Sequence, residues 1–155
     1  MLTNVVELPV ELINNTSYSI MIRFKMKELS DWSSLIYVSY DNGFMSFMPY
    51  AWTGISMYRI KDDMDENGWN DALGSKMDRE WHTAVMTFSH KNGISRLYID
   101  GKAIGFRDKV VTLTSPRRLI IGGDVYAKSC EGFVDEIRFY DYVLNSKDVE
   151  NCFGE

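Results

Sequence analysis

Short runs of alternating apolar and polar residues, stopped repeatedly by an Asx-Gly pair, set the main constraint on how this chain folds. The stops stand at Asp41-Asn42-Gly43, Lys91-Asn92-Gly93 and Asp100-Gly101. Asparagine or aspartate followed by glycine reaches the left-handed backbone conformations that a two-residue hairpin requires. Upstream of the first stop, Ile20, Ile22, Phe24 and Met26 share one side of an extended segment, while Arg23 and Lys25 take the other. That period of two marks a half-buried strand.

The same reading applies to Ser34 to Tyr40, Gly43 to Met48, Gly54 to Ile60, Trp81 to Phe88, Ser95 to Ile99, Lys102 to Gly105, Leu119 to Gly123 and Phe133 to Tyr140. Only the end reads as helical. Ser146 is the expected N-cap of a helix over 147–153, with Asp148 in its first turn and Val149 and Phe153 on one face. There is no βαβ rhythm, linker or internal repeat. The expectation is an all-β antiparallel sandwich or barrel, one domain over residues 1–155, closed by a short helix.

Composition narrows the partners. The 155 residues are 45% hydrophobic and carry a net charge of −5, without a basic stripe, so nucleic acid is a poor partner. No apolar run approaches the length of a membrane span, and the first residues lack a secretory leader pattern, as an excised module of a secreted protein also would. Two cysteines, Cys130 and Cys152, are too few for a disulfide scaffold; two free, mostly buried thiols are expected rather than one bridge.

The stretch Glu80-Trp81-His82-Thr83-Ala84-Val85-Met86-Thr87-Phe88, then Asn92-Gly93, then Arg96-Leu97-Tyr98-Ile99-Asp100-Gly101-Lys102, resembles the central hairpins of laminin-G-like domains of the concanavalin A-like jelly-roll superfamily. Leu119 to Gly123 and Gly132 to Tyr140 are similar to the strands that follow. The match is close over residues 78 to 153 and rests on strand pattern alone before that. The resemblance implies a jelly-roll sandwich that is commonly non-catalytic and often serves as a glycan-binding accessory module of secreted glycoside hydrolases or sialidases. It also implies one structural calcium, with Asp135 of the closing strand as a ligand.

A second calcium candidate is Asp62-Asp63-Met64-Asp65-Glu66-Asn67-Gly68-Trp69. Asp63, Asp65 and Asn67 have the spacing of a cation loop, but position 12 is Gly74, where a closing glutamate belongs. A calcium loop outside the EF-hand frame, a recognition loop presenting Trp69 and a solvated turn all remain open readings.

Sugar recognition needs flat aromatic faces beside polar groups that pair with hydroxyls. Trp32, Trp52 and Trp69 fall in expected loops or strand ends, as do Tyr50 and Tyr126. Arg59 points from a strand, and its guanidinium suits a sugar carboxylate. The ligand-binding set expected from sequence is therefore Tyr50, Trp52, Arg59, Trp69 and Tyr126, on a site running along a sheet face. No carboxylate pair is spaced for catalysis on one strand face, since the adjacent Asp135 and Glu136 point to opposite sides. The leading expectation is a non-catalytic carbohydrate-binding module, working outside the cell or at its surface beside other domains of a parent protein. A protein-binding or adhesin-type domain is the alternative, and a stand-alone hydrolase the third reading.

Overall fold

A computed structural model describes residues 5–29, 31–125 and 129–154. The alternating segments become strands of two antiparallel sheets. The first sheet holds β1 (Val6–Leu8), β3 (Ile36–Tyr40), β4 (Gly43–Met48), β5 (Ile55–Asp62), β6 (Trp69–Lys76) and β10 (Pro116–Ile121), in the order β1-β10-β3-β4-β5-β6. The second holds β2 (Tyr18–Met26), β7 (Trp81–Ser89), β8 (Ile94–Ile99), β9 (Lys102–Arg107) and β11 (Gly132–Tyr140), in the order β11-β2-β7-β8-β9. The helix α1 covers Ser146–Gly154.

The core lies between the sheets. Ile20, Ile22 and Phe24 from β2 and Ala84, Met86 and Phe88 from β7 meet Val38, Met45, Phe47, Tyr58 and Ile60 from the first sheet. Phe24 and Phe47 meet edge-on across the layers at 5.8 Å. A hydrogen bond of 2.8 Å between the hydroxyls of Tyr18 and Tyr58 also joins the sheets, and burial raises the pKa of both phenols.

The two outer faces differ. On the second sheet, Met21, Val85 and Tyr98 are covered by Leu144 and Val149, so the helix and its approach close that face. Among the described residues no helix covers the outer face of the first sheet; Ala51 packs on Met48 and Met57 at one end of it, and its central strands carry Tyr37, Phe44, Ser46, Arg59 and Lys61 along the rest.

The helix begins one residue earlier than the sequence reading places it. Asn145 is the cap: its Oδ1 accepts the Asp148 N–H at 2.9 Å, and Asp148 accepts the Asn145 N–H at 3.2 Å, a reciprocal box that leaves Ser146 inside the first turn. Both cysteines are free. Burial first, and the Asp124 carboxylate second, push the Cys130 thiol up to about 12, and it donates to the Ser34 carbonyl at 3.1 Å.

Candidate functional site

Strand pairing writes the site in two parallel rows. In one row, Tyr37 pairs with Ser46, Ser46 with Arg59, and Arg59 with Asp71; in the next, Ser39 pairs with Phe44, Phe44 with Lys61, and Lys61 with Trp69. Because side chains alternate, every member of both rows points away from the core. Tyr37, Ser46 and Arg59 of the first row and Phe44, Lys61 and Trp69 of the second line a groove of about 510 Å³, whose rim includes Trp32 before β3, Asp63 after β5 and Asp124 after β10. The groove thus crosses the strands rather than following one of them.

Arg59 stands near its centre. Its Nε and Nη2 donate to the two oxygens of Asp71 at 2.7 and 3.0 Å, a bidentate pair. The guanidinium carbon lies 4.5 Å from the ring centre of Trp69 and 5.4 Å from that of Trp32, so two indoles brace the cation. Both rings keep more than two fifths of their surface exposed, which leaves apolar area for a ligand. Phe44 meets Trp69 edge-on and stacks obliquely on Tyr37, extending the aromatic wall.

The other side of the groove is polar. Ser34 donates its hydroxyl hydrogen to Asp124, a residue only 5% exposed. The second contact of Ser34, 2.5 Å to the Ser46 hydroxyl, is therefore donated by Ser46. The chain Ser46 to Ser34 to Asp124 ends on a carboxylate at the wall of the groove.

The acidic turn takes a definite shape. Lys61, 8% exposed, folds its ammonium back onto the carbonyls of Asp62 and Asp65, the latter at 2.9 Å. The Asp62 carboxylate accepts the Met64 N–H and the Asp65 carboxylate the Asn67 N–H, both at 2.9 Å. The turn is held by its own side chains, with a lysine ammonium on its inward carbonyls. Asp135 lies on the far sheet, at a bulge where β11 and β2 shift register between Val134 and Glu136; it is exposed and 3.4 Å from Arg23. Its neighbour Glu136 is taken by Arg138 at 2.5 Å. Among the described residues no three His, Cys, Asp or Glu side chains converge as metal ligands.

Of the ligand-binding residues expected from sequence, the groove brings together Arg59 and Trp69. Trp69 stands at a strand end, as the first residue of β6. Tyr50 and Trp52 lie in the connection from β4 to β5, outside the groove lining. Tyr50 accepts the Trp32 N–H at 3.0 Å, and Trp52 starts a short 3-10 turn, Trp52–Gly54, with its ring exposed. Tyr126 lies outside the described residues. The sequence reading passed over Ser34, Ser46, Lys61 and Asp124. Outward alternation on β4 and β5 marks Ser46 and Lys61; nothing local marks Asp124.

Elsewhere, His82 sits between two carboxylates, Nδ1 at 2.7 Å from Asp100 and Nε2 at 2.6 Å from Asp78. Burial works against its charge, yet the Asp100 and Asp78 hydrogen bonds prevail and raise its pKa. The same imidazole, after a backbone N–H from Glu80, holds Asp78 below its ordinary value.

Solved structures share this architecture. Domain 4 of an extracellular GH43 arabinanase from Geobacillus stearothermophilus, in complex with arabinotriose, superposes with a TM-score of 0.82 at 19% identity, over 95% of this chain and 71% of that one. The CBM40 of the Ruminococcus gnavus IT-sialidase, bound to α2,3-sialyllactose, gives 0.73 at 15% identity, over 89% of this chain and 83% of that one. The binding domain of botulinum neurotoxin DC gives 0.67 at 15% identity, over 97% of this chain but 39% of the toxin domain. At these identities the likeness is one of fold. No curated protein matches the chain by sequence. The family model described as the concanavalin A-like lectin/glucanases superfamily matches residues 3–150, and the chain belongs to that superfamily.

Proposed function

We propose that this chain is a non-catalytic carbohydrate-binding module that holds a glycan in the groove of the first sheet. The observation that carries the reading is Arg59 braced between the exposed indoles of Trp32 and Trp69, opposite the acceptor chain of Ser46, Ser34 and Asp124. Indole faces take the C–H faces of a sugar, and fixed acceptors take its hydroxyls. Asp71 and Asp124 are engaged by Arg59 and Ser34, which suits positioning rather than acid–base chemistry.

The arabinanase domain was solved with arabinotriose and the sialidase module with sialyllactose. Both come from glycan-degrading enzymes, which supports an accessory role beside a catalytic partner outside the cell. No helix among the described residues is long and apolar enough to cross a membrane. Titration calorimetry of the chain against a panel of oligosaccharides tests the reading. A saturable glycan ligand whose affinity falls in Trp69→Ala at unchanged melting temperature supports it; a folded chain that binds no glycan overturns it.

A further inference from the structure

Resting on that glycan-binding reading, we propose that the groove selects uncharged sugars by their hydroxyl donors and discriminates against sugars bearing a carboxylate. Arg59 is the group that a sugar carboxylate would seek, because its fork matches two oxygens. That fork is already filled: Nε and Nη2 both bond Asp71, which faces Arg59 across the β5–β6 pair. A ligand carboxylate is left the outer N–H groups alone and comes to rest beside Asp71, two like charges on one guanidinium.

Lys61, the other cation among the described residues that line the groove, is committed as well. Lys61 is 8% exposed and spends its protons on the Asp62 and Asp65 carbonyls beneath Trp69. On the opposite wall stands the buried Asp124 carboxylate, the end of the serine chain. A second anion brought beside Asp71 is repelled. A neutral glycan suffers neither penalty. Its hydroxyls donate to the oxygen of Ser46, its ring and hydroxyl oxygens accept from the remaining N–H groups of Arg59, and its apolar face meets the indoles.

Paired probes test the selection: neutral arabino-, xylo- and galacto-oligosaccharides against sialyllactose, glucuronic-acid-substituted xylo-oligosaccharides, and oligogalacturonides with their methyl esters. The wild-type chain is expected to bind its best neutral ligand about tenfold or more tighter than any carboxylated one, as one misplaced charged contact implies. That affinity should hold between low salt and about 0.5 M NaCl, where charge-driven binding fades. Asp71→Asn opens the Arg59 fork and should raise affinity for a carboxylated glycan about tenfold. A wild-type chain that prefers carboxylated glycans overturns the selection and leaves glycan binding standing. A folded Asp71→Asn chain without the gain overturns the part given to Asp71. Binding of neither class by the folded wild-type chain overturns the glycan reading itself. The wild-type comparison decides even where Asp71→Asn fails to fold.

Discussion

The ammonium of Lys61 lies 2.9 Å from the carbonyl oxygen of Asp65, inside the turn that joins β5 to β6. A turn crowded with aspartates thus closes around a cation the chain itself supplies. Lys61→Met should loosen it and cost about 1–2 kcal/mol, the scale of hydrogen bonds from a charged donor. For a domain of this size the melting temperature should fall by a few degrees. Chelator tests calcium separately: an ion bound only to the folded state stabilises it, so its removal lowers the melting temperature. A clear drop on adding chelator to purified protein would show that calcium does bind.

Trp32 and Trp69 brace the same guanidinium from the groove rim, whereas Trp52 stands on the turn beyond it. Trp69→Ala and Trp32→Ala should each weaken a bound trisaccharide by about tenfold or more, as for a central aromatic contact. Trp52→Ala should change the affinity less than about threefold. Calorimetry on the three variants, each checked for an unchanged circular dichroism spectrum, separates these outcomes.

The buried hydroxyls of Tyr18 and Tyr58 satisfy one another between the sheets. Tyr58→Phe strands the Tyr18 hydroxyl and should destabilise the fold by about 1–3 kcal/mol. Adding Tyr18→Phe should recover part of that loss, since a pair removed together leaves no orphan. Urea unfolding of the two single variants and the double variant measures the coupling.

His82 bonds both flanking carboxylates fully only when each ring nitrogen carries a proton. Its pKa in the folded state is raised, so its contribution is fully present below the unfolded value of about 6.5 and is lost as pH rises through the higher folded value. The melting temperature should drop modestly from about pH 6 to about pH 8. His82→Gln should flatten that slope, which differential scanning across the interval reads directly.

Much of the fold is legible in the sequence because period-two alternation and Asx-Gly stops are local signals. Tyr18–Met26 and Gly43–Met48 form over the residues that the pattern marks, and Asp100-Gly101 turns with both φ angles positive, 51° and 83°. Strand β6 is hidden because Trp69-Asn70-Asp71-Ala72-Leu73-Gly74-Ser75-Lys76 buries only Ala72; pairing with β5 makes it a strand, and no apolar rhythm does. Val6–Leu8 is a three-residue edge strand, too short for any periodicity. In the site, Arg59 and Trp69 carry their own chemical signal. Ser34 and Asp124 do not: they stand 90 residues apart, and only the pairing of β10 with β3 brings their ends together.

The groove floor is made of strand residues whose immediate neighbours are core. Ser46 stands between Met45 and Phe47, and Arg59 between Tyr58 and Ile60, all four of them buried. A single inserted residue in either strand would swap inside for outside and expel a tyrosine or phenylalanine into water. Such a surface can be retuned only by exchanging one side chain for another. Changes of length, the usual raw material for new specificities, are confined to the connections that carry Trp32, Asp63 and Asp124.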